Sequence, residues 1–113
     1  MDASTTVGDL RGEVRRFVEE RDWGKFHNPR DVAMGICVEA AELLERFQWR
    51  SDLESADPAV AGSREVAEEL ADVVIYCLSF ADATGIDVSE AVRSKLVKNA
   101  ARYPAAEWRG RAR

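Results

Sequence analysis

The sequence predicts an all-α fold, a four-helix bundle that assembles as an oligomer, and three observations carry that prediction. Four stretches repeat apolar residues at helical spacing, no stretch shows the strict alternation of a half-buried strand, and helix-capping residues stand at the boundaries. The chain has 113 residues, the size of one domain. Folding such a chain buries roughly 65% of its unfolded surface, a core with little surplus.

The first helix is expected from Val7 to Arg21, with Thr5 or Thr6 as N-cap and Leu10, Val14, Phe17 and Val18 on one stripe. A connector from Asp22 to Arg30 follows, punctuated by Gly24 and Asn28-Pro29, and Pro29 suits the first turn of the next helix. The second helix runs from Pro29 to Trp49 in this reading, and residues 50–62 form a polar linker. Ser63 caps a third helix that ends at Thr84 with Gly85 behind it, and Asp87, with Glu90 three residues on, opens a fourth that stops before Pro104. Residues 1–104 are read as the domain and 105–113 as a basic, flexible tail. The third helix, with Val73, Val74, Ile75, Cys77, Leu78, Phe80 and Ala81, is apolar nearly all round. A helix of that kind needs burial on every side, and a second protomer is expected to supply the missing wall.

Composition excludes several functions. Hydrophobic residues are 46% and charged residues 33%, and no apolar run reaches the roughly 18 residues of a membrane span. The first ten residues have no secretory pattern, and cytoplasmic location is the expectation. A net charge of −5 argues against a nucleic-acid backbone binder. Cys37 and Cys77, inside apolar helical patterns, read as small buried hydrophobes of a reducing compartment.

The informative residues are carboxylates beside apolar runs. Glu39 and Glu42 in the second helix lie one turn apart, and Glu69 and Asp72 in the third repeat the spacing. Four facing carboxylates repel, and burying any of them unpartnered costs several kcal/mol; a hard divalent cation held by oxygen ligands resolves both costs. Acid pairs at this spacing also occur on solvated faces, and Glu45, Glu65 and Glu68 are read as surface residues. Tyr76 is four residues after Asp72 and Trp49 seven after Glu42, each along its acidic face, while Trp23 and His27 occupy the connector. Aromatic walls beside a cation suit a planar base attached to phosphates, although each aromatic singly fits core packing and His27 equally fits an exposed loop. Lys95, Asn99 and Arg102 form one stripe of the fourth helix beside Lys98 and Tyr103, a row able to grip phosphates or simply to face water. No glycine-rich phosphate loop occurs, and His27 is the only histidine, which disfavours carboxylate–histidine di-iron chemistry and histidine-dependent triads. Two separated cysteines disfavour zinc.

These residues resemble a known family. Glu39-Ala-Ala-Glu42 followed by Glu69-Leu-Ala-Asp72 looks like the paired acidic motifs of MazG-like nucleotide pyrophosphohydrolases. Four longer stretches resemble the dCTP pyrophosphatase branch: Arg21-Asp-Trp-Gly-Lys-Phe-His-Asn-Pro-Arg30, Glu42-Leu-Leu-Glu-Arg-Phe-Gln-Trp49, Glu68-Glu-Leu-Ala-Asp-Val-Val-Ile-Tyr76 and Ser94-Lys-Leu-Val-Lys-Asn-Ala-Ala-Arg-Tyr-Pro104. The resemblance implies an all-α homo-oligomer, usually a tetramer built as a dimer of dimers, that cleaves a nucleoside triphosphate to monophosphate and pyrophosphate. It implies Mg²⁺, with Mn²⁺ as a substitute, at Glu39, Glu42, Glu69 and Asp72, and a catalytic base in Glu39 or Glu42. Trp23, His27, Trp49 and Tyr76 would line the base and sugar pocket. Lys95, Asn99, Arg102 and Tyr103 would contact phosphates or sugar. The competing readings are a non-catalytic nucleotide sensor and a helical interaction module.

Overall fold

Helix caps set the boundaries of the observed elements. A computed structural model describes residues 1–112, and among them there are helices and turns but no strand. Thr6 caps α1 (Val7–Glu20), exchanging hydrogen bonds with Asp9. A 3₁₀ turn, Gly24–Phe26, leads to Asn28, which caps α2 (Pro29–Glu45) with Pro29 at its first position. Ser63 caps α5 (Arg64–Thr84), which ends at Gly85 in the left-handed conformation, φ 73°. Asp87 caps α6 (Val88–Arg102) by accepting from the Glu90 amide.

Three boundaries differ from the sequence expectation. Helix α2 stops at Glu45 rather than Trp49, because Arg46 and Phe47 bond back three residues and tighten the last turn. The polar linker folds into α3 (Asp52–Ala56), capped by Ser51 and Glu54 reciprocally, and α4 (Pro58–Ala61), capped by Asp57. The basic tail begins with a helical turn, α7 (Ala105–Trp108), whose Trp108 ring stands edge-on to Tyr103 at 5.1 Å. Arg113 at its end lies outside the described residues.

Helix α5 is the centre of the chain, lying along α2 and along α1. Among the described residues, Val32 of α2 and Leu78, Ser79 and Ala81 of α5 are the buried ones. Arg11 pins α1 to the end of α5, donating to the carbonyls of Ala81 (2.9 Å) and Ile86 (2.6 Å). Asp82 accepts from both Arg11 and Arg15, and the Arg15 hydrogen bond holds its carboxyl below the usual range.

One chain leaves much apolar surface uncovered. Its accessible surface of 8980 Å² compares with about 6,200 Å² for a compact monomer of this mass. The radius of gyration is 16.9 Å, where a compact chain of this length has about 13 Å. The excess has a location. Helix α6 packs extensively on no other helix, so Val92, Leu96 and Val97 face outward, as do Val74 and Ile75 of α5 and Met34 and Val38 of α2. Cys37 and Cys77, expected buried, are exposed in one chain. No helix among the described residues is long and apolar enough to cross a membrane.

Candidate metal centre

The four sequence-predicted carboxylates meet in one place. Glu39 and Glu42 share a face of α2 and Glu69 and Asp72 a face of α5, and one oxygen from each lies within 4.8 Å of all the others. The two helices run antiparallel: Gly35 of α2 meets Tyr76 of α5, while Arg46 at the far end of α2 reaches Glu69. The seam is therefore a ladder in which the carboxylates form the middle rungs.

The residues fit a hard divalent cation on an observation of this chain. Oε2 of Glu39 is buried and has no hydrogen-bond partner, a costly arrangement for a carboxylate unless a cation completes it. The Glu39 carboxyl is pushed up to about 7, first by burial, then by hydrogen bonding with Glu42 and repulsion from it, and finally by the charges of Asp72 and Glu69. All-oxygen donors suit Mg²⁺ or Mn²⁺ rather than zinc. Glu69 is held by Arg46, whose Nη2 donates to its Oε1 at 3.0 Å.

Tyr76 closes one end of the ladder, one turn beyond Asp72. Its ring lies so close to Gly35 that a Cβ there would stand 2.3 Å from Cε1 and 2.6 Å from Cδ1. Glycine in mid-helix costs about 0.5–1 kcal/mol relative to alanine, but crowding an aromatic ring costs about 1–3 kcal/mol. Gly35→Ala is therefore expected to lower stability in urea unfolding, by up to about 2 kcal/mol. Gly12→Ala in α1, where a Cβ would meet nothing within 4 Å, is expected to raise it. Equal responses at the two positions would contradict the packing of Tyr76 on α2.

The other predicted base-site residues do not join Tyr76 in one chain. The Trp23 ring is 5.8 Å from Phe17, edge-on, with the Arg21 guanidinium near both rings. His27 lines a cavity of about 360 Å³ between α1 and α5, beside Val14, Val18 and the Arg15–Asp82 pair. Trp49 is 88% exposed, because the tightened end of α2 takes it out of the helical register that would align it with Glu42. The predicted phosphate residues Lys95, Asn99 and Arg102 stand on α6 and Tyr103 at its C-cap, and one chain does not pack that helix onto the carboxylate seam. Arg46 was not singled out by sequence reasoning. Its position four residues after Glu42, on the same helix face, was the available signal.

Fold and site together define a class: an all-α protein with four carboxylates clustered between two antiparallel helices, a donor set that suits a hard cation. The model of the MazG-like family matches residues 34–112, and the chain belongs to that family. It is 40% identical over 109 residues to mouse (Mus musculus) dCTP pyrophosphatase 1, covering 95% of this chain and 64% of that protein. It is 39% identical over 102 residues to the human (Homo sapiens) protein of the same name, covering 88% of this chain and 60% of that one. The chain thus spans less than two thirds of the length of these curated relatives. A pyrophosphatase from Archaeoglobus fulgidus has a similar solved structure, with a TM-score of 0.80 and 43% identity over 86% of this chain and 91% of that one.

Proposed function

We propose that this chain is a Mg²⁺-dependent nucleoside triphosphate pyrophosphohydrolase acting on dCTP or a base-modified dCTP in the cytoplasmic nucleotide pool. The observation that carries the reading is the four-carboxylate cluster with its unpartnered Glu39 oxygen. The names of the similar proteins, dCTP pyrophosphatase and pyrophosphatase, support the substrate and the bond cleaved. A bound Mg²⁺ supplies charge neutralisation and Lewis acidity at the phosphates. Glu39, whose buried Oε2 has no hydrogen-bond partner within the chain, is the group assigned to accept a proton from the attacking water, with Glu42 as the alternative. The water oxygen bonds to the α-phosphorus, the bond from that phosphorus to the bridging oxygen breaks, and its electron pair leaves on pyrophosphate.

A homo-oligomer, a dimer of dimers, completes the reading. The uncovered apolar faces of α2, α5 and α6 favour a second copy as their cover, and the same contact would carry the α6 cations to a carboxylate seam. The test is product analysis with Mg²⁺ on the four dNTPs, dUTP, 5-methyl-dCTP and the ribonucleotides. Monophosphate and pyrophosphate are the expected products, with the cytosine deoxynucleotides fastest. Orthophosphate release would overturn the reaction, and a folded oligomer that turns over no nucleotide would be a sensor.

A further inference from the structure

The carboxylate seam has two unlike ends. Tyr76 lies against Gly35 at one, and Arg46, the C-cap of α2, stands at the other, where its guanidinium reaches Glu69. The Arg46 side chain is 45% exposed, whereas that of Glu69, to which it is bonded, is 15% exposed. One of its five N–H donors reaches the carboxylate at 3.0 Å. Beyond Arg46 lies a cavity of about 330 Å³ lined by Arg46, Arg50, Ser63 and Glu65, onto which the N-terminus of the 21-residue α5 opens. Arg50 is fixed there by its Nε, which donates to the Arg46 carbonyl at 2.9 Å. Arg46, Arg50 and the N-terminus of α5 stand here beside Glu65, with Glu45 and Glu54 next to the same two arginines, and the Arg46 donors beyond the one that Glu69 takes are what this end of the seam offers an anion.

We infer that Arg46 is a phosphate-contacting residue of this chain, taking the β- and γ-phosphate end of the triphosphate while the nucleoside lies toward Tyr76. The inference rests on the pyrophosphohydrolase reading and deepens it by giving the substrate a direction along the seam. Negative charge grows on pyrophosphate as the bridging bond breaks, so fixed donors at that end act on the transition state. The planar guanidinium can meet two phosphate oxygens at once, which an ammonium cannot. Within one chain α6 does not pack on the seam, and among the described residues Arg46 is the cation ion-paired with the cluster.

The test is calorimetric titration of inorganic pyrophosphate and, separately, of dCMP into the full-length protein in saturating Mg²⁺. Arg46→Met is expected to weaken pyrophosphate binding about 10- to 100-fold, the loss of a charge-assisted contact, with dCMP binding unchanged. Arg46→Lys is expected to recover part of the loss. Unchanged pyrophosphate affinity in Arg46→Met would overturn the inference. So would equal weakening of pyrophosphate and dCMP, since Arg46 would then serve only to hold Glu69. Wild-type protein that binds neither ligand would mean that the pyrophosphohydrolase reading itself has failed, and the inference with it.

Discussion

Glu39→Gln is expected to lower nucleoside triphosphate turnover about 10²- to 10⁴-fold, the usual contribution of a positioned proton acceptor, while the protein stays folded. The amide keeps the shape of the side chain and removes its charge from the most crowded point of the cluster. Without divalent cation the variant is expected to melt at or above the wild-type temperature, because it relieves repulsion from Glu42, Asp72 and Glu69. A variant that loses activity only by unfolding would make Glu39 structural, and one that retains activity would shift the role of base to Glu42.

The same carboxyl gives a pH signature with a definite sign. Its pKa rises from 4.5 to about 7 in the folded, cation-free chain. Its contribution to stability is therefore fully present below the unfolded value of 4.5 and is lost as pH rises through about 7. Cation binding reverses the preference, since a ligand carboxylate must be ionised. Titration of Mg²⁺ near pH 6 is expected to release protons, seen as a dependence of the binding heat on buffer ionisation, and Glu39→Gln is expected to remove most of that release. A wild-type binding heat independent of buffer would show that Glu39 is already ionised.

The carboxylate centre was legible in the sequence because the helix makes it a local property. Residues three apart share a face whatever the surroundings, and Glu39, Glu42, Glu69 and Asp72 needed only that α2 and α5 pair. The caps at Thr6, Ser63, Gly85 and Asp87 were legible for the same reason. What failed depended on non-local or sub-helical geometry. Trp49 was assigned to the acidic face by counting turns past Glu45, but the chain tightens there and the count no longer holds. The 50–62 segment read as a linker on composition, although Ser51 with Glu54 is a capping box and Asp57-Pro58 opens a helix. Arg46 was missed because a cation near acidic residues on a helix usually marks a solvated face. Its significance comes from an inter-helix bond to Glu69 that one helix cannot reveal. Cys37, Cys77 and part of the apolar run of α5 stand exposed in one chain, and the burial expected of them would come only with the proposed assembly.

That assembly carries the second large expectation. Arg102→Ala and Glu39→Gln proteins are each expected to be nearly inactive, yet a refolded equimolar mixture is expected to recover about a quarter of wild-type activity. The carboxylates stand on α2 and α5 and the cationic stripe on α6, and within one chain these do not pack together. If each site takes its carboxylates from one protomer and its α6 cations from the next, a mixed pair has one doubly damaged site and one wholly intact. Half of randomly formed pairs are mixed and half of their sites work, which sets the recovered fraction. If instead α6 folded back to serve the carboxylates of its own chain, every site in the mixture would carry one lesion and no activity would return. Leu96→Asp separates the structural part of the same question. Leu96 is 60% exposed on α6 although apolar, so a charge there costs the single chain little. It is expected to shift the protein toward monomer in sedimentation and to abolish recovery in the mixture. An unchanged oligomer would place the contact on the α2 and α5 faces instead, around Met34, Val38, Val74 and Ile75.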